Sequence, residues 1–271
     1  MAAPSRLLLF VLALSAHAAA SAEPGNPLTD RFSVSAGTFL LGTSTQIRVD
    51  GDTGNGTQLD TERDLGMKDS DRFRADGYWR FRERHKLRVM YFDTNQSAGK
   101  TISRNLQVGD TSFPIDAQLD SNFRTRVAEI AYEYSFLKRD NYEIAASAGI
   151  HDLRFQLDLS ATRTASGQTL ALARSANANG PLPVLGLRGT WRLGERFYLD
   201  GQAQFFKISI DPYDGRLEDY TASIVWMPLK HFGIGAGYNE FVTRIDVSAD
   251  RFNGNLRWRY GGARIFVVGS W

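Results

Sequence analysis

Between Arg72 and Arg82 the chain sets Phe73, Ala75, Gly77, Trp79 and Phe81 on one side of an extended backbone and Arg74, Asp76, Tyr78, Arg80 and Arg82 on the other. Successive side chains of a strand point to opposite faces, so this stretch needs two environments, one apolar and one able to hold several charges. A soluble sandwich would bury those charges in its core, where unpaired charge is costly. A sheet closed round a hydrated lumen, with hydrocarbon outside, satisfies both faces.

The same period of two recurs along the chain and predicts about ten strands, at 31–50, 72–82, 86–97, 122–136, 142–158, 182–193, 196–211, 216–227, 231–247 and 253–271. Their outward faces carry Leu87, Val89 and Tyr91; Ile130, Tyr132, Tyr134 and Phe136; Leu185, Leu187 and Trp191; Tyr220, Ile224 and Trp226; Phe232, Ile234 and Tyr238. In two places the apolar face changes parity. Leu153, Phe155 and Leu157 continue outward only through a β-bulge near Asp152, and Leu256, Trp258 and Tyr260 do so only through a kink at Gly261-Gly262. Connections near 83–85, 138–141, 194–195 and 228–230 are short, whereas 51–71, 98–121 and 159–181 are long and polar. Short periplasmic turns and long extracellular loops would have this asymmetry, with an even strand count placing both termini on the periplasmic side. Ten satisfies it, and so would eight or twelve, since 57–65 offers one extra strand.

The first 22 residues read as an export signal outside the fold. Arg6 precedes the apolar run Leu7 to Leu14, which is too short to span a bilayer, and Ala20-Ser21-Ala22 is a cleavage site. Residues 23–30 then form a periplasmic lead-in, and 31–271 the barrel. The chain has no cysteine, so neither disulfides nor thiol chemistry are available to it. Its net charge of +2 gives no case for nucleic acid. A mean hydropathy of −0.31 alongside 12% aromatic residues suits strands whose two faces cancel.

The ending Ile265-Phe266-Val267-Val268-Gly269-Ser270-Trp271, with the export signal and the tight-turn hairpins, resembles the small Gram-negative outer-membrane barrels, the OmpA-, OmpX- and OmpW-like proteins. The resemblance covers nearly all of the mature chain and is architectural, without a motif that selects one family. It implies an all-β fold, a transmembrane antiparallel up-and-down barrel in the outer membrane. The partners it implies are membrane lipid and lipopolysaccharide, the outer-membrane assembly machinery that reads the carboxy terminus, and an extracellular ligand that the sequence does not identify.

The inward set is Arg74, Asp76, Arg80, Arg82, Arg88, Glu129, Glu133, Glu143, His151, Arg188, Arg192, Asp200, Asp219, Arg257 and Arg264. Both signs are well represented, and in a narrow barrel they can meet across the lumen, so the first reading is a plug of paired charges. A narrow channel for small solutes is the alternative. Trp79, Trp191, Trp226, Phe232 and Trp271 gather towards the short turns as an interfacial girdle. Catalysis by an outer-membrane hydrolase or lipid-modifying enzyme would need a histidine beside a nucleophile or water. His85 and His231 lie at turns, and His151 stands about 13 Å from Ser147 along its own strand, so no catalytic residue is assigned and a non-enzymatic role is expected. Asp50, Asp52, Asn55 and Gly56 resemble the opening of a calcium loop, but no bidentate glutamate follows at the required spacing. A solvated turn is the expectation there, with no metal or cofactor.

Overall fold

The computed structural model describes residues 25–39, 43–50, 54, 56–67, 72–165, 168–210, 213–249 and 252–271. The export signal lies outside them. The strands are β1 (Phe32–Phe39), β2 (Thr43–Asp50), β3 (Leu59–Asp60), β4 (Arg72–Arg82), β5 (His85–Thr101), β6 (Leu106–Val108), β7 (Thr111–Phe113), β8 (Gln118–Lys138), β9 (Tyr142–Ala165), β10 (Gln168–Arg192), β11 (Phe197–Ile210), β12 (Tyr213–Trp226), β13 (Phe232–Ala249) and β14 (Phe252–Ser270). Neighbours pair antiparallel in the order β1-β4-β5-β8-β9-β10-β11-β12-β13-β14, and β14 returns to β1 through Ser33↔Ser270 and Thr38↔Ile265. Closure leaves these pairing groups no open edge towards lipid. Higher up, β2 takes over from β1 along β14, from Thr43↔Tyr260 to Asp50↔Asn253. One predicted strand, 31–50, is therefore two pieces of one stave, and the wall has ten positions among the described residues. The extra strand considered at 57–65 is only β3, a short addition to β2.

The wall reverses its polarity part-way up. Near the short turns the outer face is apolar, with Trp79, Val89, Ile130, Tyr132, Leu187, Ile224, Ile234 and Ile265 exposed, while Arg80, Arg88, Glu133 and Glu143 are buried inside. Along β10 and the residue after it this outer belt runs from Leu193 to Pro183, about the nine to eleven residues of a tilted spanning strand. The strands continue well beyond it. β9 has 24 residues, some 80 Å of backbone at ~3.4 Å per residue, against a belt about 25 Å tall. In this upper part Arg124, Arg154, Arg216, Arg244, Arg257 and Arg259 face outward. Phe123, Leu153, Phe155, Leu157, Leu217, Phe241, Leu256, Trp258 and Tyr260 are buried inside. Outside the bilayer the surrounding solvent is water, so the arrangement becomes that of a soluble barrel with a dry core.

That reversal corrects three expectations. Pairing runs unbroken past Asp152, as Ala128↔Asp152 and Asp152↔Pro181, so β9 has no bulge there. It is equally continuous at Glu240↔Gly261 and Asn239↔Gly262, so Trp258 and Tyr260 point inward and Arg257 outward. Register shifts occur instead near the short turns, between Arg80 and Arg82 and between Tyr134 and Leu137. The polar segment 159–181, expected to be a loop, is mostly a hairpin of β9 and β10 paired from Gln168↔Ala165 downward. Serine, threonine and alanine suit strands whose outer face is in water. Among the described residues β10 has no partner on its β11 side above Leu185, and Pro181 and Pro183 stand at this edge, where a residue without an N–H donor is tolerated.

Both ends are covered. Above, Leu59, Leu65, Met67, Leu106, Val108 and Phe113 join the apolar core, and the Thr57 amide donates to the Gln107 carbonyl at 2.8 Å while the Gly109 amide donates to that of Val49 at 2.9 Å. Gly109 has φ 57°, a left-handed conformation that glycine adopts without strain, as the turn between β6 and β7 requires. Below, the lead-in folds into the mouth. Leu28 is buried against Tyr198, Met227 and Val268, Tyr78 donates to the Pro27 carbonyl at 3.0 Å, and Tyr198 donates to that of Gly25 at 3.0 Å. The Ser270 hydroxyl donates to Asp30 Oδ2 at 2.6 Å.

Burial pushes the Asp30 carboxyl above its ordinary value, against the opposing pull of Ser270, His231 and Arg80. The docked lead-in therefore disfavours the ionised form, and docking should tighten as pH falls through the raised value and gain nothing further below the unfolded one. Amide exchange of residues 25–30, corrected for intrinsic rate, is expected to be slower at mildly acidic than at neutral pH. Asp30→Asn should abolish that difference; an unchanged pH dependence in the variant would remove Asp30 from the account.

Candidate functional site: a charge-packed lumen

Within the belt the inward residues of six strands, β4, β5, β8, β9, β10 and β11, converge. Glu133 on β8 is shared by three cations, accepting from Arg88 Nε at 2.8 Å and Arg188 Nε at 3.1 Å, with Lys86 Nζ at 3.4 Å. Glu143 on β9 accepts from Arg80 at 2.6 and 3.0 Å, from Lys86 at 3.0 Å and from the Ser135 hydroxyl. Arg188 also donates to Asp200 and Gln202, and Thr190 holds the other Asp200 oxygen at 2.8 Å. Tyr78 lies among these cations, with Arg88, Lys86 and Arg80 at 5.2, 5.6 and 5.9 Å from its ring centre.

A second cluster sits just below the apolar core. Arg74 grips Asp76 with contacts of 2.9, 3.0 and 3.1 Å and donates to Asn239 Oδ1 at 2.8 Å. Asn239 Nδ2 donates to Asp219 at 2.6 Å, and the Tyr260 hydroxyl donates to Asn239 Oδ1 at 2.6 Å. Glu129 lies 3.1 Å from His151 Nε2 and accepts from Gln204. The His151 ring is wholly buried and stacks on Phe241.

Of the inward set expected from the sequence, the lumen brings together Arg74, Asp76, Arg80, Arg88, Glu129, Glu133, Glu143, His151, Arg188, Asp200, Asp219 and Arg264. Three members lie elsewhere. Arg82 follows the register shift at the β4–β5 turn and is exposed. Arg192 is at the rim, donating to the Gly194 carbonyl at 3.1 Å. Arg257 is on the outer wall, opposite Arg244. Sequence reasoning omitted Lys86, Asn239 and Tyr260 from the charge network. Lys86 stands on the same face as Arg88 and was legible from parity; Tyr260 was hidden by its assignment to the lipid face.

The other candidates are placed as follows. Trp79, Trp191, Trp226, Phe232 and Trp271 are all exposed on the outer wall at the short-turn ends, with Trp79 stacked on Phe32 and Trp226 on Phe197. His85 Nδ1 contacts the Tyr132 hydroxyl at 2.6 Å, and His231 Nδ1 the Ser270 carbonyl at 2.8 Å. Asp52 and Asn55 lie outside the described residues. Asp50 takes Arg48 Nε and the Gly56 amide, each at 2.8 Å.

No protein-family model matches the sequence, and no curated protein matches it significantly. Among solved structures, the outer-membrane protease OmpT of Escherichia coli superposes with a TM-score of 0.55 over 93% of this chain and 99% of its own, at 12% identity. The toluene transporter TodX of Pseudomonas putida, over 90% of both chains at 9% identity, reaches a TM-score of only 0.35. Ail of Yersinia pestis, at 10% identity over 89% of this chain and 98% of its own, reaches 0.31; neither of these two bears on the argument. The chain is an all-β, closed ten-strand barrel with the outer-membrane β-barrel fold.

Proposed function

We propose that the protein is an integral outer-membrane barrel with a blocked lumen, in a structural or surface-interaction role rather than as a pore or a hydrolase. The stacking of three barriers along the axis carries this reading: the lead-in around Leu28, the charge network around Glu133 and the roofed core around Trp258. The protruding upper wall, with its water-facing arginines, is then the surface that meets other molecules. A histidine wholly buried as His151 is, stacked on Phe241 and against Glu129, has no open route to lipid or peptide among the described residues.

Purified mature protein in planar bilayers is expected to give no stepwise conductance. A variant lacking residues 25–30 should stay silent as well, because two barriers remain. Regular conductance steps from the wild type would overturn the blocked lumen and favour the channel. Lipid or peptide turnover that His151→Ala abolishes would overturn the non-enzymatic role.

A further inference from the structure

The periplasmic rim carries a notch of about 500 Å³ between the lead-in, the β4–β5 turn and the β8–β9 turn. The cations Arg31, Arg80, Arg82, Lys138 and Arg139 line it, and among the described residues its only acids are Glu83 and Asp140. Arg80 is engaged by Glu143 at 2.6 and 3.0 Å. Lys138 donates to the Glu83 carbonyl at 2.9 Å, while the Glu83 carboxylate stands 3.9 Å away with its side chain 80% exposed. Arg31, Arg82 and Arg139 are exposed and have no ion pair among the described residues. Asp30, next to Arg31, lies on the other side of the lead-in, where Ser270 holds its carboxylate. Arg31, Arg82, Lys138 and Arg139 therefore face only Glu83 and Asp140, and the wall keeps two positive charges unmatched.

The notch opens beside the aromatic girdle. Phe81 lines it and also packs against Trp79 and Tyr132 of the outer wall, with ring centres 5.7 and 6.4 Å away. Aromatic belts sit at headgroup level, and Arg82 follows Phe81 by one residue, so the free guanidinium groups stand where the phosphates of the periplasmic leaflet lie. Guanidinium forks hold phosphate through paired, charge-assisted hydrogen bonds, and basic pockets at a membrane surface attract anionic lipid. We propose that the notch binds the headgroup of an anionic phospholipid bearing two phosphates, with Arg31, Arg82 and Arg139 as its donors. Two phosphate charges match the two that the wall leaves over, and the acyl chains run up the outer wall past Phe81. The site rests on the outer-membrane placement of the barrel and not on the blocked lumen.

Native mass spectrometry of the mature protein in a neutral detergent, titrated with tetraoleoyl cardiolipin or dioleoyl phosphatidylcholine, tests this. Cardiolipin should be retained at about tenfold lower concentration than phosphatidylcholine. Arg31→Gln combined with Arg139→Gln should remove that preference and leave phosphatidylcholine retention as it was, since neither side chain has an ion pair to lose. Glu83→Gln, which takes an acid from the wall at an exposed position, should strengthen cardiolipin retention, a gain that a purely structural role would not produce. Arg244→Gln combined with Arg257→Gln removes the same charge from the upper wall and should change nothing. Equal retention of the two lipids by the wild type, a preference that survives loss of Arg31 and Arg139, or one lost as fully with Arg244 and Arg257, which would mark general charge attraction, overturns the proposal. So does displacement of cardiolipin by millimolar inorganic phosphate, which would make the ligand a free anion.

Discussion

Glu133→Gln is expected to destabilise the barrel by about 3–5 kcal/mol, the usual cost of removing one partner from a buried ion pair. The carboxylate is 2% exposed and is the common counter-charge of Lys86, Arg88 and Arg188, so its neutralisation leaves three cations with fewer acids between them. Glutamine keeps the shape and one acceptor, which confines the change to charge. Urea-dependent folding into phospholipid vesicles measures the loss. Arg82→Gln, an exposed change outside the network, should stay within about 0.5 kcal/mol. Equal effects of the two would mean that the lumen charges do not act as a connected set.

Trp258→Ala should cost about as much, roughly 3–5 kcal/mol, for a different reason. The indole is wholly buried and packs on Phe92, Phe155, Phe241 and Tyr260 with ring centres 5.1–6.0 Å away. Truncation leaves a cavity that a closed wall cannot collapse to fill. Of the five tryptophans, the other four are exposed on the outer wall. Variants retaining one tryptophan each, in vesicles of brominated lipid, should show quenching for Trp79, Trp191, Trp226 and Trp271 and none for Trp258. Quenching of Trp258 would restore it to the lipid face.

Trp258 also shows what the sequence could and could not convey. All ten wall positions were legible, because alternation such as that of Ile130, Tyr132 and Tyr134 against Glu129 and Glu133 depends only on strand geometry. The lower half of the charge network followed from the same parity. Parity does not say which solvent lies beyond the wall. With lipid assumed outside along the whole strand, Leu153, Phe155, Leu157 and Trp258 had to be turned outward by bulges that the pairing does not contain. The clue was present in the arginines, since Arg154, Arg257 and Arg259 occupy the opposite parity from those apolar residues. A strand far longer than a bilayer requires, whose charged and apolar faces exchange, is one that leaves the membrane and not one that bends. Covering of the two ends was not legible, because lead-in and roof contacts such as Leu28 with Tyr198, or Thr57 with Gln107, join residues without a repeating pattern.

The exchange of solvents along one continuous outer face is the claim on which the rest depends, and the cysteine-free chain allows it to be measured directly. Single nitroxides placed through cysteine at Ile224, Arg216 and Arg257 in the vesicle-embedded protein report their surroundings by relaxation. At 224 the label should be relaxed by oxygen, which concentrates in hydrocarbon, and protected from a water-soluble nickel chelate. At 216 and 257 the preference should reverse. Labels at 216 and 257 that behave as lipid-buried, or a label at 224 that behaves as water-exposed, would contradict the account.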